Sequence, residues 1–179
     1  EDIRLTLDAD LQSEAYSILA KTVDYHNANS GSMVVIEPET HEILAMSNYP
    51  SFDPNDRKYI VTGTLENKAS TDLFEPGSTV KPIIVAAVLQ SDNSIEDELI
   101  NTSPVYIDYE GFITKDFKDY GTQNLSKIIS NSSNVGMVKL CDKVEAEIII
   151  NGFHTLGFGK YMNEIFISTS EGSLPPVNK

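Results

Sequence analysis

The chain has 179 residues, enough for one domain with its own core, and 40% hydrophobic content with no low-complexity tract describes a folded globular protein. Twenty-seven Asp and Glu against thirteen Lys and Arg leave a net charge of −14, which repels a phosphate backbone in the absence of a basic cluster and sets nucleic acid aside. No apolar run approaches the roughly 20 residues of a bilayer span, "EDIRLTLDAD" lacks the basic and apolar regions of a signal peptide, and a single cysteine, Cys141, excludes an intrachain disulfide.

In chain order, Asp8 and Asp10 precede Leu11, Ala15, Ile18, Leu19 and Val23 at helical spacing, which predicts an amphipathic helix over 9–26 with an acidic start. "SMVVIEP" and "EILAMSNY" then flank the turn "EPETHE", predicting a β-hairpin with Val34, Ile36, Leu44 and Met46 as its apolar positions and one side of a sheet as its place. Residues 50–72 are polar and punctuated by Pro, Gly and Asn, the composition of a long surface connection. A helix over 78–90 follows, then an acidic connection, then a short hairpin in "VYIDYEGFITKDF" turning at Glu110-Gly111. "TQNLSKIIS" and "VGMVKLCDKV" each carry helical periodicity and are separated by "SSN"; a last helix runs through "EAEIIINGFHTLGFG" and closes at Gly157. Helices between and after short strands, with no repeat and no interdomain linker, make an α+β domain whose second lobe is largely helical. Cys141 is expected to be buried and inert.

The chemistry concentrates in "LFEPGSTVKPIIVAAVLQ", residues 73–90, where Ser78 and Lys81 stand three apart at a helix start. A bare Ser-x-x-Lys arises by chance about once in a chain of this size, and a serine after Pro-Gly is also an ordinary helix cap with the lysine in solvent. The alternative is a nucleophile beside its base. Residues three apart share a helix face, a lysine desolvated among apolar neighbours has a lowered pKa, and its neutral amine can take the serine proton. The helix N-terminus would offer free N–H groups to an oxyanion, and Pro82, lacking an N–H, would leave the Ser78 carbonyl unbonded, tolerable only in a first turn. With His26, His41 and His154 scattered and no H-E-x-x-H or G-x-S-x-G, a base other than histidine is required. Ser-x-x-Lys enzymes use a Ser-x-Asn element as a second polar group. Ser91-Asp92-Asn93 matches, yet lies about 20 Å along the same helix at roughly 1.5 Å per residue. Ser132-Ser133-Asn134 sits in the break between two helices, where Ser132 and Asn134 can point into a cleft; one of its serines can equally serve only as the cap of the next helix.

"TDLFEPGSTVKP", "GSMVVIEPETHEILAMSNYPSFDPN" and "SSNVGM" together resemble the transpeptidase domain of class B penicillin-binding proteins, especially the division-specific ones, over about residues 3–160. The resemblance implies a β-lactamase/D,D-transpeptidase-like fold, with a partial central antiparallel sheet and a helical subdomain. It implies Ser78 as the acylated serine, Lys81 as its base, and Ser132 and Asn134 as the second motif. The implied reaction is D,D-transpeptidation of D-Ala-D-Ala stem peptides without a cofactor or metal. Substrates would be peptidoglycan stem peptides or a lipid-linked precursor, β-lactams would acylate the same serine, and cell-division or cell-wall synthesis proteins would be partners. The place implied is the periplasmic face of the cytoplasmic membrane, with an N-terminal anchoring helix outside these residues. The family's Lys-Thr/Ser-Gly motif is absent: neither Thr62-Gly63-Thr64, which precedes the serine, nor His154-Thr155-Leu156-Gly157, which has an extra residue, stands in for it. Residues 1–179 are therefore expected to be a partial transpeptidase domain lacking its late sheet strands, of low or no activity by itself. A serine β-lactamase and a non-catalytic β-lactam-binding or division-partner-binding module are the other readings.

Overall fold

Asp8, itself in an extended conformation, starts helix α1 (Ala9–Tyr25), its carboxylate accepting a hydrogen bond from Leu11 N at 2.8 Å. That bond satisfies one of the N–H groups a helix start leaves unpaired. The computed structural model describes residues 2–56, 65–161 and 169–176. They fall in two compact units, one drawn from Glu1–Leu73 and Met162–Ser170, the other from Phe74–Tyr161 and Glu171–Lys179. Thr62-Gly63-Thr64 lies outside the described residues.

In the first unit, Ala15, Leu19 and Val23 are the buried stripe of α1, spaced four apart as a helix face requires. The predicted hairpin forms as β1 (Gly31–Ile36) antiparallel to β2 (Ile43–Tyr49). Its inward face differs from the expected one. Ala45 and Ser47 are fully buried and pair with Val35 and Met33, whereas Val34 and Ile36 are 40% and 52% exposed. Side chains alternate with a period of two and both parities of β1 carry apolar residues, so the inward face is a choice of parity, and long-range contacts make it. Gln12 of α1 makes three such contacts: its side chain donates to Met46 O and Ser47 Oγ and accepts from Met46 N, all within 2.9 Å. Gly31 faces Val23 and Leu19 so closely that a Cβ would stand 2.9 Å from Val23. The stretch read as a connection contains a short helix, α2 (Lys68–Thr71), fastened to β2 by Asn48, which donates to Asn67 Oδ1 and accepts from Ala69 N.

The second unit begins with a 3-10 turn, Gly77–Val80, that runs into α3 (Lys81–Ser91). A further 3-10 turn (Asn93–Asp97) leads to β3 (Ile100–Asn101), which pairs antiparallel with the distant β6 (Thr122–Gln123). Between them stands the expected hairpin, β4 (Tyr106–Tyr109) and β5 (Phe112–Lys115), turning at Glu110 and Gly111, both at positive φ. Two consecutive positive-φ residues make the turn whose twist suits a tight hairpin. The helices α4 (Leu125–Ser130), α5 (Asn134–Cys141) and α6 (Ala146–Thr155) follow, and His154 to Gly157 form the closing turn of α6.

Val85 and Val88 of α3, Ile95, Ile100, Leu125, Ile128, Met137 and Leu140 form this unit's core. Two glycines let its helices approach. A Cβ on Gly136 would lie 2.9 Å from Ile128 and 3.0 Å from Ser133 Oγ, so α5 sits hard against α4 where the break between them turns. A Cβ on Gly152 would lie 2.7 Å from that of Ala87, joining α6 to α3. Gly152→Val is expected to lower the unfolding free energy by about 2 kcal/mol, the cost of overpacking less a small gain in helix propensity. Urea unfolding followed by circular dichroism measures it. Cys141, expected to be buried, is half-buried, and burial pushes its thiol above the ordinary value, which keeps it protonated.

The observed elements make an α+β fold of helices and small two-stranded antiparallel sheets. No helix among the described residues is long and apolar enough to cross a membrane.

Candidate active site

Pro76 and Gly77 set the entry to the site. Gly77 has φ +60, and a Cβ there would meet nothing within 4 Å, so this glycine answers to conformation rather than to crowding. Ser78 follows on the 3-10 turn and is exposed; of its two readings the helix cap is not made, because Val80 occupies the cap position of α3 and its side chain bonds nothing there. The carbonyl of Ser78 is not left free either: the tighter turn brings Lys81 N to it, an i to i+3 bond that compensates for the N–H Pro82 lacks. Three residues per turn also align Ser78 with Lys81, one above the other.

Lys81, first residue of α3, is 8% exposed. Its amine donates to Ser132 O at 2.7 Å, Ser132 Oγ at 3.0 Å and Asn134 Oδ1 at 2.7 Å. An ammonium has three N–H bonds, and all three are used across more than fifty residues of sequence. The direct Ser78–Lys81 hydrogen bond that the spacing allowed is not among them. Desolvation explains the preference: a buried cation needs every donor paired, and the break supplies three acceptors together. The same desolvation lowers the Lys81 pKa from its ordinary value, with the negative charge of Asp116 pulling weakly the other way.

The Ser132–Asn134 break divides its labour. Ser132 holds a left-handed backbone, φ +53, rare for a residue with a side chain. That turn aims both its carbonyl and its hydroxyl at Lys81. Ser133 is fully buried and caps α5, accepting from Gly136 N at 2.9 Å. Asn134 accepts from Lys81 and donates through Nδ2 to Lys115 O at 3.0 Å, which fixes the orientation of its amide. Thus the triplet divides: Ser133 caps the next helix, while Ser132 and Asn134 turn to Lys81.

Sequence reasoning missed Asp116, which follows β5. Its Oδ2 accepts from Ser133 Oγ at 2.6 Å, and its Oδ1 accepts from Asn134 N and, at 3.1 Å, from Val135 N. Seventeen residues separate it from Ser133, and a lone Asp after a strand carries no spacing signal. Ser91-Asp92-Asn93 is remote, as expected: Asp92 caps the next 3-10 turn by accepting from Ser94 N and Oγ, and Ser91 bonds Val88 O. Among the described residues no group of His, Cys, Asp and Glu converges as metal ligands would.

Chemically, this arrangement can store and release a proton. Ser132 O and Asn134 Oδ1 only accept, whereas the Ser132 hydroxyl can also donate. When Lys81 is neutral it has two N–H bonds and a lone pair, and the Ser132 O–H can turn to fill that lone pair or give up its proton through it.

A family model described as the penicillin-binding protein transpeptidase domain matches residues 31–179. The chain is 37% identical over 175 residues to peptidoglycan D,D-transpeptidase FtsI of Buchnera aphidicola subsp. Schizaphis graminum, and 34% identical over 174 residues to FtsI of Escherichia coli K12. It is 37% identical over 174 residues to a probable peptidoglycan D,D-transpeptidase, PenA, of Neisseria gonorrhoeae. These alignments cover 97 to 98% of this chain and 29 to 30% of each relative, so the chain spans about 30% of the length of the curated relatives it matches. Among solved structures, a peptidoglycan glycosyltransferase from Burkholderia ambifaria superposes with a TM-score of 0.84 at 28% identity, covering 97% of this chain and 51% of that one. The apo TP domain of penicillin-binding protein 3 from Burkholderia pseudomallei gives 0.82 at 28%, covering 96% and 47%. With a family model matching most of its length and the fold in agreement, the chain belongs to the penicillin-binding protein transpeptidase family.

Proposed function

We propose that this chain carries the acylation machinery of a peptidoglycan D,D-transpeptidase. The observation that carries the reading is Lys81: a desolvated lysine one turn beyond an exposed serine, with Ser132 and Asn134 within 3.0 Å of its amine. Lys81 as the neutral amine takes the Ser78 Oγ proton while Oγ attacks the carbonyl carbon of the penultimate D-alanine. The tetrahedral adduct collapses with cleavage of the C–N bond, and the departing D-alanine nitrogen receives its proton from Lys81 through the Ser132 hydroxyl. An amine of a neighbouring stem peptide then attacks the acyl-serine ester, forms the cross-link and frees Oγ, which regains a proton by the same route. On this reading Asn134, whose amide orientation is fixed by Lys81 and Lys115, holds the substrate amide.

The substrate class is D-Ala-D-Ala stem peptides or their lipid-linked precursors, the inhibitor class β-lactams, and the place of action outside the cytoplasm, where such peptides are cross-linked. Division and cell-wall synthesis proteins are the partners this reading entails.

Incubation with a fluorescent penicillin followed by intact-mass measurement tests it. A single long-lived adduct on Ser78, formed slowly because these residues carry no Lys-Thr/Ser-Gly motif, is the expected outcome. Rapid release of hydrolysed penicillin would assign a β-lactamase instead, and a folded chain that takes no adduct would leave a fragment unable to acylate or a binding module.

A further inference from the structure

We propose that Asp116 is the positioning residue of this site, its carboxylate holding the Ser132–Asn134 break in register with Lys81 and setting the charge that Lys81 faces. The inference rests on the function proposed above. Three observations carry it. First, both oxygens are committed to the break: Oδ2 to Ser133 Oγ, Oδ1 to the N–H groups of Asn134 and Val135. Ser132 and Asn134, the two residues that touch Lys81, thus flank or include atoms that Asp116 fixes. Second, the break needs holding. Ser132 is in the left-handed region, a conformation that persists only where its surroundings impose it, and the backbone bonds Ser132 N to Ile129 O and Ser133 N to Ile128 O restrain only its α4 side. Asp116 restrains the α5 side. Third, the carrier is itself anchored. Asp116 leaves β5, whose neighbouring Lys115 carbonyl receives the Asn134 amide, and the hairpin's other strand is tied to the far end of α5 by Tyr109 Oη donating to Asp142 Oδ1 at 2.8 Å.

The carboxylate also reaches Lys81 as a charge. The elements packed around Lys81 carry Glu96 and Asp97 after α3, Lys115 and Asp116 at the end of β5, Lys127 on α4, Lys139 and Cys141 on α5, and Glu147 and His154 on α6; of these, the negative charge of Asp116 is the one that raises the Lys81 pKa. That field favours the ammonium and works against burial. Asp116 therefore has two separable effects, a geometric one through its hydrogen bonds and an electrostatic one through its charge.

Two variants divide them. Asp116→Asn keeps an oxygen for the Asn134 and Val135 N–H groups, and Ser133 Oγ can turn to accept from the new amide; the geometry stays and the charge goes. Asp116→Ala loses both. Penicillin acylation rates are measured against pH for each, with circular dichroism to confirm folding. Asp116→Ala is expected to acylate about 10²-fold more slowly, the scale of a displacement of about 1 Å in a reacting constellation. Asp116→Asn is expected to stay within about tenfold of the unsubstituted chain, with the midpoint of its rise in rate moved to lower pH. A helix cap and nothing more would lower the melting temperature of Asp116→Ala while leaving rates and the pH midpoint of both folded variants unchanged, and that result overturns the proposal. Titration of the Lys81 side chain by NMR, in the unsubstituted chain and in Asp116→Asn, reads the electrostatic half without any acylation. A midpoint that does not fall in Asp116→Asn sinks that half even if the chain acylates. A midpoint that falls in a chain taking no adduct separates failure of the functional reading from failure of this one.

Discussion

Ser78→Ala is expected to abolish the penicillin adduct and to leave the unfolding midpoint in place. The two halves have separate physical grounds. The adduct is an ester bond to Oγ, so with no hydroxyl there is no bond to form, and the loss is complete rather than partial. Stability is untouched because the exposed hydroxyl caps neither the 3-10 turn nor α3, and a surface substitution free of such a role stays within about 0.5 kcal/mol. The structure sharpens this second half, since an N-capping serine would have cost about 1 kcal/mol. Intact mass and thermal unfolding on one preparation check both, and an undiminished adduct on the variant would place the nucleophile elsewhere.

Lys81→Ala is expected to slow acylation by about 10²- to 10⁴-fold, the contribution of a positioned general base. The pH dependence of the unsubstituted chain gives the more specific signature. Only the neutral amine accepts the serine proton, and burial lowers the Lys81 pKa below the ordinary 10.5, so the rate rises with pH and levels off at a midpoint beneath that value. The Lys81→Ala variant should lose this rise. Stability follows the same group. Below the folded-state pKa the lysine is charged in both states and the fold bears the desolvation penalty; between that pKa and 10.5 the unfolded chain binds more protons. The contribution of Lys81 is thus fully present above 10.5 and lost as pH falls through the lowered value. Denaturant unfolding of both proteins across alkaline pH should show the unsubstituted chain gaining stability relative to Lys81→Ala as that window is crossed. Parallel curves would show that Lys81 is not desolvated.

Local signals carried much of this fold. The acidic start of α1, the Glu110-Gly111 turn and the Gly157 close of α6 each depend on residues within a few positions of one another, and each appears where the sequence puts it. Where the reading went astray, the deciding contact is remote. Val34 and Ile36 alternate as well as Met33 and Val35 do, and Gln12 and Gly31, packed against the other parity, favour the second pair. The Lys68–Thr71 helix is too short to show periodicity and is held by Asn48. β3 and β6 are two residues each, twenty-two positions apart, and have no pattern of their own.

The site divides in the same way. By itself the sequence determined which groups are available: a serine and a lysine three apart behind a Pro-Gly break, and a Ser-Ser-Asn interruption between two periodic segments. Those are matters of composition and short-range geometry, set by turn chemistry and helical pitch. Tertiary structure alone decided where the protons can go. It gave the lysine to Ser132 and Asn134 rather than to Ser78, split the triplet between capping and the cleft, and brought in Asp116 to hold the break. The reason is desolvation: a buried amine must pair every N–H, and the acceptors that satisfy it are assembled by folding from segments whose spacing in the chain carries no trace of their meeting.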